Sequence, residues 1–281
     1  MNDILRLERV SYTYRGSHAP AVAELDMRVP AGASVGIVGE SGSGKSTTLS
    51  LLLALSAPTS GRVLFEGEPL NLRDRRQLRR LRRNVQPVYQ DPYASLDPRM
   101  RVDRIVAEPL GSLDIEKDPA ARRLRVEQAL ADVGLGADAL LRFPHEFSGG
   151  QRQRVGIARA LAVEPDFIVA DECVSALDVS IRKDVLELLK DLRTRLGLTF
   201  LFISHDLAVV EDISDRVAVM YKGDIVEVSS AHSIYRDPQD DYTKALLAAV
   251  PIPDPTIKRE RVEWDAQAYM RQREARIAAG D

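Results

Sequence analysis

The sequence predicts an α/β fold built around a phosphate-binding loop, and three observations predict it. Residues Gly39 to Thr47 read Gly-Glu-Ser-Gly-Ser-Gly-Lys-Ser-Thr, which fits the G-x-x-x-x-G-K-[ST] pattern at Gly39, Gly44, Lys45 and Ser46. An apolar run, Phe167-Ile168-Val169-Ala170, ends in Asp171-Glu172. Another, from Thr199 to Ile203, ends just before His205. Runs this short and this apolar read as buried strands.

The first element in the chain is an antiparallel β portion near Leu5 to Phe65, wrapped around the loop. Ser34-Val35-Gly36-Ile37-Val38 is the buried strand that enters the loop, and Ser46 to Leu55 is the helix that leaves it. Glycines at 42 and 44 let backbone N–H groups turn inward, and the new helix adds its positive end, so the main chain holds phosphate oxygens. Lys45 is placed to reach the β- and γ-phosphates of a nucleoside triphosphate, and the Ser46 hydroxyl to ligate Mg²⁺. Gly39, Glu40, Ser41, Gly42, Ser43, Gly44, Lys45, Ser46 and Thr47 together form the expected cradle. Arg73 to Arg83 is arginine-rich around Leu72, Leu78 and Leu81 and reads as a solvated helix face, with a patch for anionic lipid headgroups as the alternative.

A helical insert follows from Asp91 to about Pro165, with Ala120 to Val133 as its clearest amphipathic segment. Ser148-Gly149-Gly150 directly precedes a helical stretch, Gln151 to Ala162, and offers a second helix N-terminus with bare N–H groups. Two anion sites are more than one triphosphate needs. Asp171 suits an outer partner for Mg²⁺, and Glu172 is placed to polarise an attacking water as general base. A short β region at Val217 to Val228 closes this part. Past Pro255 the chain is highly charged, a partly helical tail with Trp264 as its one large apolar anchor.

Composition narrows the partners. Of 281 residues, 39 are Lys or Arg and 42 are Asp or Glu, a net charge of −3 that argues against a general nucleic-acid binder. One cysteine excludes an intrachain disulfide and fits a reducing compartment. No signal peptide is expected at the start. The longest uncharged stretch, Ser46 to Gly61, falls short of the roughly 20 apolar residues of a membrane span, so membrane attachment is expected through partner proteins.

These motifs resemble the ATP-binding-cassette (ABC) ATPases, and the match covers most of the chain. The family's signature is similar to Ser148-Gly149-Gly150-Gln151, its Q-loop glutamine to Gln90, its D-loop to Ser175-Ala176-Leu177-Asp178 and its switch histidine to His205. Its adenine-stacking aromatic resembles Tyr14 in Val10-Ser11-Tyr12-Thr13-Tyr14, with Tyr12 as the second candidate. The resemblance implies an ABC-type P-loop NTPase: an N-terminal antiparallel β subdomain, a RecA-like core and a helical signature subdomain. It also implies ATP and Mg²⁺ as cofactors, the metal held by Ser46, Gln90 and Asp171. Two cassettes would pack head to tail, each signature closing over the γ-phosphate bound by the other, and Asp178 of the D-loop is expected among the nucleotide-binding residues. Catalysis would rest on Glu172, His205, Gln90 and Lys45. The expected division is an ATPase domain over 1–236, with the helical subdomain at about 91–165 inserted, and an extension with a charged tail over 237–281.

Longer strings narrow the resemblance to the F-type ATPase subunit of oligopeptide and dipeptide importers. They are Gln90 to Met100, Phe143 to Arg154, and Asp241-Tyr242-Thr243-Lys244 through Pro255. That subunit lies on the cytoplasmic face of the membrane with a second ABC subunit, a D-type sibling or itself, two permeases and a solute-binding protein. Two departures stand out. Cys173 replaces the proline that many relatives have after the catalytic glutamate, and the tail from Thr256 to Asp281 lacks the cysteines that hold an iron–sulfur cluster in some, so no cluster is expected. The alternative function is the accessory ATPase of a soluble multi-subunit enzyme, such as a carbon–phosphorus lyase complex. Cassette proteins acting on DNA or ribosomes generally have two cassettes or long coiled-coil inserts, and neither is found here.

Overall fold

The computed structural model describes residues 3–249 and 264–271. The expectations for 250–263 and 272–281, most of the charged tail, lie outside the described residues. The chain runs through β1 (Asp3–Tyr12), β2 (Val22–Pro30), β3 (Ser34–Val38), α1 (Lys45–Leu52), β4 (Ser60–Phe65) and β5 (Glu68–Pro69). It continues with α2 (Arg75–Asn84), β6 (Val85–Val88), α3 (Pro92–Ser95), α4 (Val102–Ser112), α5 (Pro119–Asp132), two 3₁₀ turns and α6 (Gly149–Leu161). The last part is β7 (Phe167–Asp171), α7 (Val179–Leu196), β8 (Thr199–Ser204), α8 (Leu207–Ile213), β9 (Arg216–Tyr221), β10 (Asp224–Ser230), α9 (Ala231–Arg236) and α10 (Asp241–Ala248).

Two sheets result. The first, in the order β2-β1-β4-β5, is antiparallel throughout. In β2 the side chains of Leu25, Met27 and Val29 alternate inward, as expected of a sheet with one wet face. The second has the order β10-β9-β3-β8-β7-β6, parallel except for the β9–β10 hairpin. Every residue of β3 and β8 is buried, which is what their unbroken apolar sequence demands of strands covered on both faces. Because the strands are parallel, the carboxyl ends of β3, β7 and β8 open at one edge, and the loops that follow them meet there.

Val102, Ile105, Val106 and Leu110 of α4, Val126 and Leu130 of α5, and Val155 of α6 are buried together, in a core that continues through Ile168 of β7, Leu189 of α7 and Phe200 of β8. Asp118 starts α5 by accepting from the Ala121 N–H at 2.7 Å, with Pro119 in the first turn. In α2, Leu81 is buried against the antiparallel sheet's core with Leu72 and Leu78 beside it, while Arg79 pairs with Asp114 at 3.8 Å and Arg80 with Glu66 at the surface.

Two expectations need correction. The helix after the loop ends at Leu52 rather than Leu55, because Ala54 turns left-handed (φ 52°) to send the chain toward β4. Trp264 is not alone in anchoring the tail. Tyr269, in a helical turn over residues 266–271, and Met270 pack with it against Tyr221 and Tyr242.

Candidate active site

The loop between β3 and α1 is held tightly from outside. A Cβ on Gly39 would collide with the Met220 carbonyl of β9, and one on Gly44 (φ 106°) would lie 2.8 Å from the Ala21 carbonyl, so only glycine fits at either place. Lys45, buried at the start of α1, folds its ammonium back and donates to the carbonyls of Gly39 at 2.7 Å and Glu40 at 2.8 Å. Burial lowers its pKa, opposed by the charges of Glu172, Asp171 and Glu40. No side chain caps α1, so its first-turn N–H groups are left for an incoming anion.

The carboxylates stand at the end of β7. Burial raises the pKa of Asp171, the neighbouring Glu172 raises it further, and Lys45 opposes both. Glu172 follows in a left-handed conformation (φ 45°), with its N–H donating to Ile203 of β8 at 2.8 Å. This turn departs from a strand path and swings the side chain toward His205, whose Nδ1 lies 3.1 Å from Glu172 Oε1. Beyond it, the Ser204 hydroxyl accepts from the Asp206 N–H at 2.9 Å, and Asp206 pairs with Arg182 of α7 at 2.8 Å. The backbone on the far side of the histidine is therefore tied to β8 and α7, while the histidine's own side chain stays exposed.

These parts border one cleft of about 700 Å³, lined by Tyr14, Ala21, Ser41, Gly42, Gly44 to Thr47, Glu172 and His205. The Tyr14 hydroxyl lies 3.0 Å from Thr47 Oγ1, its ring stands edge-on to Tyr12 at 5.0 Å, and its other side is exposed. Tyr14, and not Tyr12, borders the cleft. Ala21 is a wall residue that no sequence pattern marked. A divalent cation fits this chemistry: the Ser46 hydroxyl and the Glu172 carboxylate line the cleft, and Asp171 stands beside Glu172 at the end of β7, a set of hard oxygen donors.

The other predicted residues lie outside the cleft walls. Gln90, past the end of β6, donates from Nε2 to Ser175 Oγ at 3.3 Å. Asp178 is the residue before α7. Ser148 and Gln151 form a reciprocal cap at the start of α6, with Ser148 N donating to Gln151 Oε1 at 3.0 Å and Gln151 N to Ser148 Oγ at 3.3 Å. Gly150 packs so close to Ile181 of α7 that a Cβ would clash with it. Arg152 of α6 stacks its guanidinium over the Tyr93 ring at 4.0 Å, and Arg159 donates to the Ser95 carbonyl at 2.6 Å, tying this helix to the segment after Gln90.

A phosphate loop, a strand-end carboxylate pair whose glutamate faces a histidine, and a signature helix that starts outside the cleft define an ATPase of the cassette class. Residues 22–175 match the ABC transporter family, and the chain belongs to it. The chain is 49% identical over 261 residues to the "oligopeptide transport ATP-binding protein OppF" of Bacillus subtilis (strain 168), covering 92% of this chain and 85% of that one. Among solved structures it resembles cbiO1 from Clostridium perfringens, described as part of the ABC transporter complex cbiONQ (TM-score 0.76, 28% identity, 84% of this chain and 92% of that one). It also resembles the cassette MJ0796 in a dimeric post-hydrolysis state bound to ADP and Pi (TM-score 0.71, 30% identity, 81% and 98%). The chain is thus an ATP-binding ABC ATPase.

Cys173 is buried behind the site, 3% exposed. Burial above all, and then the charge of Asp171, pushes its thiol up to about 12. At neutral pH the thiol is thus protonated and a poor nucleophile. A thiol-alkylating reagent is therefore expected to label the native chain slowly, and more slowly with ATP bound, while Cys173→Pro retains ATPase activity. Rapid labelling that abolishes hydrolysis, with the proline variant resistant, would instead make this a redox-gated enzyme.

Proposed function

We propose that this chain powers the uptake of peptides as one ATPase subunit of an ABC importer, seated on the cytoplasmic face of the membrane. The observation that carries the peptide assignment is the 49% identity to an oligopeptide transport ATP-binding protein over nearly the whole of both chains. Its partners are a second cassette, two permeases and a solute-binding protein. Among the described residues no helix is long and apolar enough to cross a membrane, in keeping with attachment through permeases. Residues 1–236 act as the ATPase domain and 237–281 as an extension, of which α10 and residues 264–271 pack on that domain.

In the proposed reaction Tyr14 stacks on adenine while Gly39 to Thr47 wrap the phosphates. Lys45 leaves the carbonyls of Gly39 and Glu40 for the β- and γ-phosphates, exchanging two neutral acceptors for a charged one. Glu172 takes the proton of the attacking water, and His205, already beside it, orders that water against the γ-phosphate. Mg²⁺, held by Ser46, Gln90 and Asp171, would neutralise charge on the phosphate oxygens. Ser148, Gly149, Gly150 and Gln151, with Asp178, complete the site of the other cassette, so half of the charge stabilisation arrives in trans. The dimeric state of MJ0796 supports this arrangement.

The test is to purify the chain from membranes of its own host with everything that stays bound. Two permeases and a second cassette are expected, and in vesicles a peptide-loaded binding protein should stimulate hydrolysis. Gln90→Ala should depress that stimulation more than basal hydrolysis, because Gln90 links Ser175 to the segment that α6 grips. Co-purification with subunits of a soluble enzyme would overturn the importer reading, and equal loss of both activities would remove the coupling role.

A further inference from the structure

We propose that Tyr242 is a positioning residue for the phosphate loop, and that the tail segment with Trp264 and Tyr269 is the clamp that keeps it in place. Tyr242 follows the loop by about 200 residues, yet its hydroxyl accepts a 3.2 Å hydrogen bond from the Glu40 N–H. The carbonyl of that same peptide, Gly39 O, accepts from Lys45 Nζ at 2.7 Å. The 39–40 peptide is therefore pinned at both ends. When Lys45 turns to a phosphate the carbonyl end is released, and the Tyr242 bond still fixes the plane of the peptide. That plane sets the direction of the loop as it begins to wrap the nucleotide.

The tyrosine is itself held on every side. It is 1% exposed, and burial pushes its hydroxyl up to about 12, so it stays neutral across the working range of pH. Its ring packs 4.3 Å from that of Tyr221, the residue after the Met220 carbonyl that crowds Gly39, and 5.5 Å from that of Trp264. Asp240 caps α10 by accepting from the Tyr242 N–H at 2.8 Å. The Tyr269 hydroxyl lies 2.9 and 3.1 Å from the two oxygens of Asp240, and the Asp240 N–H donates to Glu227 Oε2 at 3.0 Å. A line of contacts thus runs from the tail turn through Asp240 and α10 into the loop. Nothing in the loop's own sequence supplies it.

This inference rests on the proposed role of the loop in binding ATP, so the wild-type chain is titrated first with Mg-ATP at equilibrium. Tyr242→Phe, which keeps the ring and removes only the hydroxyl, is expected to weaken ATP binding about fivefold, the loss of one ordinary hydrogen bond. Its Tm should fall by only a few degrees, the cost of one hydrogen bond in a domain of this size. Tyr269→Phe should weaken binding in the same direction by less. Val106→Ala, a cavity in the fully buried core of the helical insert, should lower Tm and leave ATP affinity unchanged. Wild-type affinity in Tyr242→Phe would overturn the proposal. So would an equal loss of affinity in Val106→Ala, since general loosening would then explain both. A wild-type chain that binds no ATP would remove the functional reading and this inference with it.

Discussion

Glu172→Gln is expected to bind ATP as wild type does and to lose at least about 10²-fold in turnover, the scale of a positioned general base. The amide has the carboxylate's shape, so the contact with His205 and the left-handed turn that aims the side chain both survive. What it lacks is the ability to take a proton. Asp171 does not replace it, because Glu172 lines the cleft beside His205 and Asp171 does not. Bound ATP should then persist between the two cassettes and trap them as a closed dimer. Steady-state hydrolysis by the assembled complex measures the first effect, and sedimentation with and without ATP the second. Near-normal hydrolysis would mean that another group activates the water.

Ser148→Arg should leave ATP binding at the chain's own loop intact and reduce hydrolysis at the partner's loop by roughly 10²–10³-fold, the usual cost of losing preorganised donors. The substitution removes the reciprocal cap with Gln151 and sets a long cation at the mouth of α6, whose first turn is already pressed against Ile181 through Gly150. None of this touches the cleft lined by Lys45, Glu172 and His205. Complementation makes the prediction sharp. With two copies of this chain as the pair, Ser148→Arg and Lys45→Ala are each inactive alone, whereas a mixture contains one intact composite site and regains activity. A purified monomer that turns over at the full rate without concentration dependence would refute completion in trans. A mixture that stays inactive would do the same for a self-paired dimer.

The sequence by itself determined the parts whose chemistry is local. A loop that binds phosphate through its main chain needs glycines, a lysine and a hydroxyl at fixed spacing, so Gly39 to Thr47 were legible as written. Strands buried on both faces need unbroken apolar runs, so β3, β7 and β8 could be placed within a residue. Ser148-Gly149-Gly150 marked the approach to a helix expected from Gln151, and α6 begins two residues earlier, at Gly149, under the cap that Ser148 and Gln151 form. Tertiary structure decided everything that depends on residues far apart in the chain. Glu172 meets His205 because β7 and β8 pair in a register that sets Asp171 against Ile203, and because Glu172 leaves that register left-handed. The family resemblance already prefers Tyr14 to Tyr12; what the fold added is that the Tyr14 hydroxyl reaches Thr47 on α1, a matter of how the antiparallel sheet sits on the loop. Ala54 ended α1 early because the chain had to turn back toward β4. Tyr242 carried no sign of a role at Glu40, since a hydrogen bond between such distant positions exists only once packing has brought α10 behind the loop. Local backbone chemistry is written in spacing; which side chains converge is set by sheet register and packing, and no short stretch of sequence contains either.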